Sequence, residues 1–170
     1  MTHPYLLFFS KQNGNLTNSP ELSKYLDDTA HRHINTDSDS EVLINILANN
    51  LQEFNKVRIN QDDFFKALEG LNNRCLGGYA CTGLITGYGV FGFRDPHGIR
   101  PLVYGSRKCD KGIDYMIASE SVALEALGFT VIRDVSPGEA ILITKDGVIH
   151  TKVCFSQKIT VRALQKMPAN

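Results

Sequence analysis

The sequence carries no excess charge of either sign, no long apolar run and no paired cysteine motif, and each absence removes a class of function. Eighteen Lys and Arg offset eighteen Asp and Glu, so no electrostatic feature marks a nucleic acid or an anionic membrane as partner. No stretch approaches the roughly 18–20 consecutive apolar residues that a membrane-spanning helix needs. The first residues lack the basic region and apolar core of a secretory leader, and a cytoplasmic protein is the expectation. Cys75, Cys81, Cys109 and Cys154 form no CxxC pair. With 42% hydrophobic residues the chain can build a core without disulfide staples, so reduced thiols are expected. Internal repeats and low-complexity linkers are missing too, and 170 residues then fit one domain.

What is present falls into two grammars. The apolar run at residues 5–9 reads as a buried strand. Gln12-Asn13-Gly14-Asn15-Leu16 follows it, and because Asn-Gly readily adopts positive φ it predicts a tight turn that directs an amide outward. Ser19, Pro20 and Glu21 predict the N-cap, first-turn proline and first-turn acid of a short helix with Leu22, Tyr25 and Leu26 on one face. His31 and His33, two residues apart, are poorly placed for a single metal and read as loop. Ser38 and Glu41 have the spacing of a capping box. They open a helix whose buried face carries Leu43, Leu47, Leu51 and Phe54. Asn60 or Gln61 caps a third helix, with Asp62 and Asp63 in its first turn and Phe64 or Phe65, Leu68 and Leu71 on its core face.

After Gly77-Gly78 the pattern changes to strands at residues 79–86, 90–94, 101–104 and 115–118, whose short connections predict antiparallel neighbours. Ser119 predicts the N-cap of a short helix through Leu127, with Gly128 as its left-handed stop. A strand at Val131-Ile132, the turn Ser136-Pro137-Gly138, and a hairpin of 139–144 with 148–151 about Asp146-Gly147 complete an α+β pattern. Beyond Thr151 the signal weakens, and Lys152, Lys158, Arg162 and Lys166 give a basic tail.

The acidic residues Asp37, Asp39 and Glu41 alternate like the start of a calcium loop. Val42 and Ala48 stand where that loop needs Gly and Glu, so a metal is not expected. Asp39 at a first helical position gains about 0.3–1 kcal/mol from the helix dipole.

Six segments taken in order resemble the class II glutamine amidotransferases, in particular the glutaminase domain of the amidophosphoribosyltransferase family. They are Asn13-Gly14-Asn15-Leu16, the run from His31 to Glu41, Gly77-Gly78-Tyr79-Ala80-Cys81, the run from Phe91 to Leu102, Ala118-Ser119-Glu120-Ser121 and Pro137-Gly138-Glu139-Ala140. The resemblance covers residues 13–144. It implies an N-terminal-nucleophile hydrolase fold, an αββα sandwich of antiparallel sheets, here incomplete at the N-terminus. In that family a cysteine at the mature N-terminus attacks the glutamine amide, with its own α-amine as base. Asn13 and Gly14 map to the oxyanion donors, and Asp39 maps to the aspartate that receives the substrate's α-ammonium. The complete enzymes pass ammonia from glutamine to phosphoribosyl pyrophosphate in purine biosynthesis and are expected to be homo-oligomers.

The departures from the family are as specific. The chain opens Met1-Thr2-His3-Pro4 close to the strand that leads to Asn13, so no cysteine takes the nucleophile position, and Thr2 is misplaced for it. The family's arginine clamp for the substrate carboxylate belongs to the same missing part, and Gln12 stands where a histidine is usual. Residues 1–151 are therefore expected to form a partial glutaminase domain and 152–170 a divergent tail. No cofactor is expected in this chain, because Mg²⁺ belongs to the phosphoribosyltransferase domain. An isolated chain of this kind is expected to be inactive. The alternative is a non-catalytic module that binds an amino acid or a partner protein.

Overall fold

Strand alternation divides the interior into two cores. In β2 (Gly77–Ile85) the side chains of Tyr79 and Cys81 pack with the helices, whereas Ala80 between them joins a second apolar cluster. The computed structural model describes residues 8–56, 58–110 and 112–155. β2 lies in a five-stranded antiparallel sheet with β1 (Phe8–Leu16), β3 (Gly89–Arg94), β7 (Glu139–Thr144) and β8 (Ile149–Val153), in the order β1-β2-β3-β7-β8. A three-stranded sheet, β5-β4-β6, is built from β4 (Val103–Cys109), β5 (Gly112–Ala118) and β6 (Thr130–Asp134).

One face of the larger sheet is covered by α1 (Ser19–Asp28), α2 (Asp39–Gln52) and α3 (Gln61–Arg74), and the smaller sheet carries the short α4 (Ser121–Ala126). The layers are thus helix, sheet, sheet, helix, the expected α+β sandwich. The helical side is the larger core. Leu43, Leu47 and Leu51 of α2 meet Phe64, Leu68 and Leu71 of α3 over Phe91 and Phe93, with Phe64 and Phe91 5.2 Å apart in a tilted pair. Between the sheets, Ala80, Leu102, Tyr104, Val135, Ile141 and Ile143 form the second core. Gly92 leaves room for the second core, since a Cβ there would lie 3.1 Å from both Ile117 and Leu102.

Several local expectations are corrected. The β1 strand runs through Asn13-Gly14 without a turn. Asn18, not Ser19, precedes the first turn of α1, and its side chain bridges Arg74 O and Leu76 N at 2.9 and 3.0 Å instead of capping. Ser38 caps α2 through Ser40 N, but Glu41 turns away from the box to bind Asn35 and Thr36. The reciprocal box forms instead at Asn60 and Asp63. Glu120 precedes α4, one residue after the expected Ser119. Although β3 and β4 are consecutive, they are not neighbours: the connection through Asp95 and Leu102 carries the chain from one sheet to the other. The β7–β8 hairpin is as expected, and β8 continues to Val153, with Cys154 buried in the larger core. Among the described residues, no helix is long and apolar enough to cross a membrane.

Candidate functional site

The local geometry begins with Asp95, which is fully buried in the turn after β3. Its carboxylate accepts from the N–H groups of Tyr79, His97 and Ile99 at 3.1, 2.7 and 3.0 Å. Its own N–H donates to Tyr79 O at 2.8 Å. Both backbone groups of Tyr79 are therefore directed towards Asp95, away from β1. Its partner across the β1–β2 ladder is Gly14, which places that pair in the non-hydrogen-bonded class and turns the Gly14 N–H and C=O to the outer edge of β1, open among the described residues.

Gly14 holds φ at +130°, so the positive φ expected of this dipeptide is present inside a strand. No other residue fits. A Cβ on Gly14 would lie 2.0 Å from Gly78 O, and one on Gly77, itself at φ +141°, would lie 2.2 Å from Asn15 O. Close approach of two strands through glycines on both sides explains why the pairing continues where a turn was expected.

Asp39 is the first residue of α2. Its Oδ2 accepts the N–H of Leu16 at 2.8 Å. Leu16 has the same strand parity as Gly14, so the open edge presents an outward Gly14 N–H and, two residues on, a carboxylate docked at Leu16. Asp39 also lines a groove of about 610 Å³ with Asn15, Ser19, Ser23, Asn35 and Thr36. Asn13 is exposed and opens on a different cavity, of about 280 Å³, shared with Gln12, Thr82, Leu102, Ile117 and Ser119. The structure brings Gly14 and Asp39 to one strand edge and leaves Asn13 at the neighbouring cavity. The Gln12 amide is buried there with neither Oε1 nor Nε2 partnered among the described residues.

Sequence reasoning missed two contributors. Asp95 fixes the direction of the Gly14 amide through Tyr79, yet in the sequence Asp95-Pro96-His97-Gly98 reads only as a turn. Glu41 accepts from Asn35 N and Nδ2 at 2.8 and 3.2 Å and from Thr36 N and Oγ1 at 2.8 and 2.6 Å. The Thr36 hydroxyl, followed by the other donors, brings its carboxyl down to about 2.

The cysteines are poorly disposed as nucleophiles. Cys75, Cys81 and Cys154 are buried. Burial pushes the Cys75 and Cys154 thiols up to about 12 and raises Cys81 as well. Cys109 is exposed but pairs with Gly112 at the hairpin end of β4 and β5. The opposite end of the same ladder, where Ala118 faces Val103, borders the Asn13 cavity, roughly 20 Å away along the strand. Thr2 lies outside the described residues. Among the described residues no group of three or more His, Cys, Asp or Glu side chains could hold a metal ion. Asp39 and Glu41 instead accept from backbone N–H groups.

Comparison with known proteins accords with this architecture. Over 142 residues the chain is 52% identical to the amidophosphoribosyltransferase of Pseudomonas aeruginosa, covering 84% of this chain and 28% of that protein. It is 56% identical over 135 residues to the amidophosphoribosyltransferase of Saccharomyces cerevisiae, covering 79% and 26%. The chain thus spans under a third of the length of these relatives. The solved glutamine phosphoribosylpyrophosphate amidotransferase of B. subtilis, complexed with ADP and GMP, superposes with a TM-score of 0.68 at 25% identity, over 89% of this chain and 32% of that one. A family model described as a glutamine amidotransferase domain matches residues 6–126, and with most of its length so matched the chain belongs to the glutamine amidotransferase domain family.

Proposed function

We propose that this polypeptide contributes the oxyanion side and the ammonium-binding side of a glutamine-hydrolysing site in a cytoplasmic amidophosphoribosyltransferase. In that enzyme, ammonia released from glutamine is passed on to phosphoribosyl pyrophosphate. One observation carries the reading: the outward N–H of Gly14 and the carboxylate of Asp39 lie along the same free edge of β1, joined through Leu16. A peptide N–H held by a strand ladder is a preorganised donor for the oxyanion that develops when the glutamine amide is attacked. The exposed Asn13 side chain is the second donor. Asp39 receives the substrate's α-ammonium on the carboxylate oxygen that Leu16 leaves free. The nucleophile is none of the chain's four cysteines, for the reasons of burial and position given above, and comes from polypeptide outside these 170 residues.

Glutamine binding to the chain by itself is weak on this account. A single partly exposed carboxylate facing an ammonium contributes about 1 kcal/mol or less, which by itself places the dissociation constant on the order of 0.1 M or above. Titrating the ¹⁵N-labelled chain with L-glutamine is expected to move the amide resonances of Gly14, Leu16 and Ser40. Asp39→Asn, which keeps an oxygen for Leu16 N–H but loses the charge, should remove the response. Absence of any shift at these positions in the unsubstituted chain up to the solubility limit of glutamine would overturn the proposal.

A further inference from the structure

We infer that Glu41 is a positioning residue that sets the Asp39 carboxylate through a polar relay, an inference that rests on the assignment of Asp39 as ammonium receptor. Glu41 lies in the first turn of α2 with its carboxylate bent back over the preceding segment. Oε1 accepts from Asn35 N and Nδ2, and Oε2 accepts from Thr36 N and Oγ1. Because the Thr36 hydroxyl donates its only proton to Glu41 at 2.6 Å, its lone pairs face the chain that follows, and it accepts the Ser38 N–H at 3.3 Å. Ser38 in turn accepts the Ser40 N–H at 3.3 Å as the N-cap of α2. Asp39 is the residue spanned by that Ser38–Ser40 bond, so the order runs by hydrogen bonds from Glu41 to Thr36 and Ser38, through the backbone of the capped turn to Asp39, and by the Asp39 carboxylate to Leu16 on β1.

Geometry alone makes the relay directional. A capping-box glutamate would return to the N-cap N–H and leave residues 35–36 without a fixed partner. Here the carboxylate instead supplies acceptors to two consecutive backbone N–H groups in the segment that forms one wall of the Asp39 groove. The Thr36 hydroxyl and the Asn35 and Thr36 donors favour the ionised form, so Glu41 is charged at neutral pH, where the α-ammonium of an amino acid is protonated too.

The test is amide hydrogen exchange on the full chain, followed by the L-glutamine titration. In Glu41→Gln, the carboxamide presents N–H groups where one pair of donors now points. Exchange at Thr36, Ser38 and Leu16 is expected to rise about tenfold or more, while the core-strand amide of Phe91 keeps its protection. Thr36→Val retains the backbone bond to Glu41 but removes the hydroxyl link, so exchange should rise at Ser38 and Leu16 and not at residue 36. Glutamine affinity should fall in both variants. Unchanged exchange, or an equal rise at Phe91 and at the relay amides, would overturn the inference. So would unaltered glutamine affinity in variants whose relay amides had become labile. If the unsubstituted chain shows no response to glutamine, the ammonium-receptor assignment fails instead, and the exchange measurements still decide whether Glu41 positions Asp39.

Discussion

Asp39 Oδ2 accepts the Leu16 N–H at 2.8 Å, tying the first turn of a helix to the edge of a strand twenty-three residues earlier. The carboxylate therefore has a structural partner whether or not a ligand is present, and the two roles separate by substitution. Asp39→Ala leaves the strand-edge N–H without its acceptor and is expected to cost about 1–2 kcal/mol. Asp39→Asn should cost about half of that, because its amide oxygen still accepts. Urea unfolding monitored by far-UV circular dichroism measures both. Equal losses in the two variants would show that charge, and not the bond to Leu16, carries the stabilisation.

Gly14 admits no side chain. A Cβ placed 2.0 Å from Gly78 O, on a backbone at φ +130°, must either open the β1–β2 ladder or force φ out of its present region. Gly14→Ala is expected to destabilise by about 3 kcal/mol or more, and Gly14→Val by more again. Asn13→Ala, at an exposed side chain, should change stability by under about 0.5 kcal/mol. A Gly14→Ala melt close to that of the unsubstituted chain would mean that the strand can slip to relieve the contact.

Legibility in the sequence followed periodicity. The apolar faces of α2 and α3 were readable, since Leu43, Leu47 and Leu51 recur at helical spacing, and the start of α3 was placed at Asn60 or Gln61, of which the structure selects Asn60. Strands delimited by glycine turns, such as β2, β3 and β7, were readable for similar reasons. The course of β1 was not. Asn13-Gly14 has the local chemistry of a turn, and only pairing with the distant Gly77-Gly78 segment makes it a strand. Nor was the change of sheet after Asp95, because a short connection signals an antiparallel neighbour when nothing in the sequence shows that the next strand leaves the sheet. At the candidate site, Asp39, Asn13 and Gly14 were nameable by resemblance. Glu41 and Asp95 were not: Asp95 accepts from backbone N–H groups that carry no side-chain signature, and Glu41 stands at capping-box spacing from Ser38, which conceals its turn back to Asn35 and Thr36.

The bidentate pair of Arg133 with Glu139, at 2.8 and 2.6 Å, joins β6 of one sheet to β7 of the other. Burial alone would raise the Glu139 carboxyl, but Arg133 and the Ser136 N–H outweigh it, and the group lies below its ordinary 4.5. A carboxyl whose folded value is depressed contributes stability that is fully present above its unfolded value. That contribution is lost as pH falls through the folded value. With Arg133 substantially exposed, the expected contribution is about 1–2 kcal/mol. Melting profiles should therefore show the unsubstituted chain losing stability below about pH 4.5, with a shallower decline in Glu139→Gln. Parallel profiles would assign the acid sensitivity to other carboxyls.

The chain alone is expected to release no ammonia from glutamine above background. Amide hydrolysis by covalent catalysis needs a nucleophile, a base, oxyanion donors and a hold on the amino-acid end of the substrate. Of these, on the proposed reading, Gly14 and Asn13 offer donors and Asp39 offers part of the hold. Cys75, Cys81 and Cys154 are poorly placed for the first requirement, because all three are buried and burial disfavours their thiolates. Thiol labelling checks that premise directly: Cys109 should react at once with an aromatic disulfide, and the other three only after unfolding. In coupled catalytic sets, removing the nucleophile costs nearly as much as removing every member, and donors by themselves retain about 10³–10⁴ over water. That remainder acts only on bound substrate, and with glutamine held so weakly the bound fraction is too small for it to register in an ordinary assay. Supplying an N-terminal segment with the leading cysteine that the family resemblance implies should then create activity that depends on the residues proposed here. In such an assembly Asn13→Ala should lower the rate by about 10²–10³ with little change in KM, and Asp39→Asn should act mainly on KM. Ammonia release by the chain alone that disappears on Cys81→Ser would show that a buried thiol is made reactive by a motion of β2, and would remove the case for a nucleophile from outside the chain.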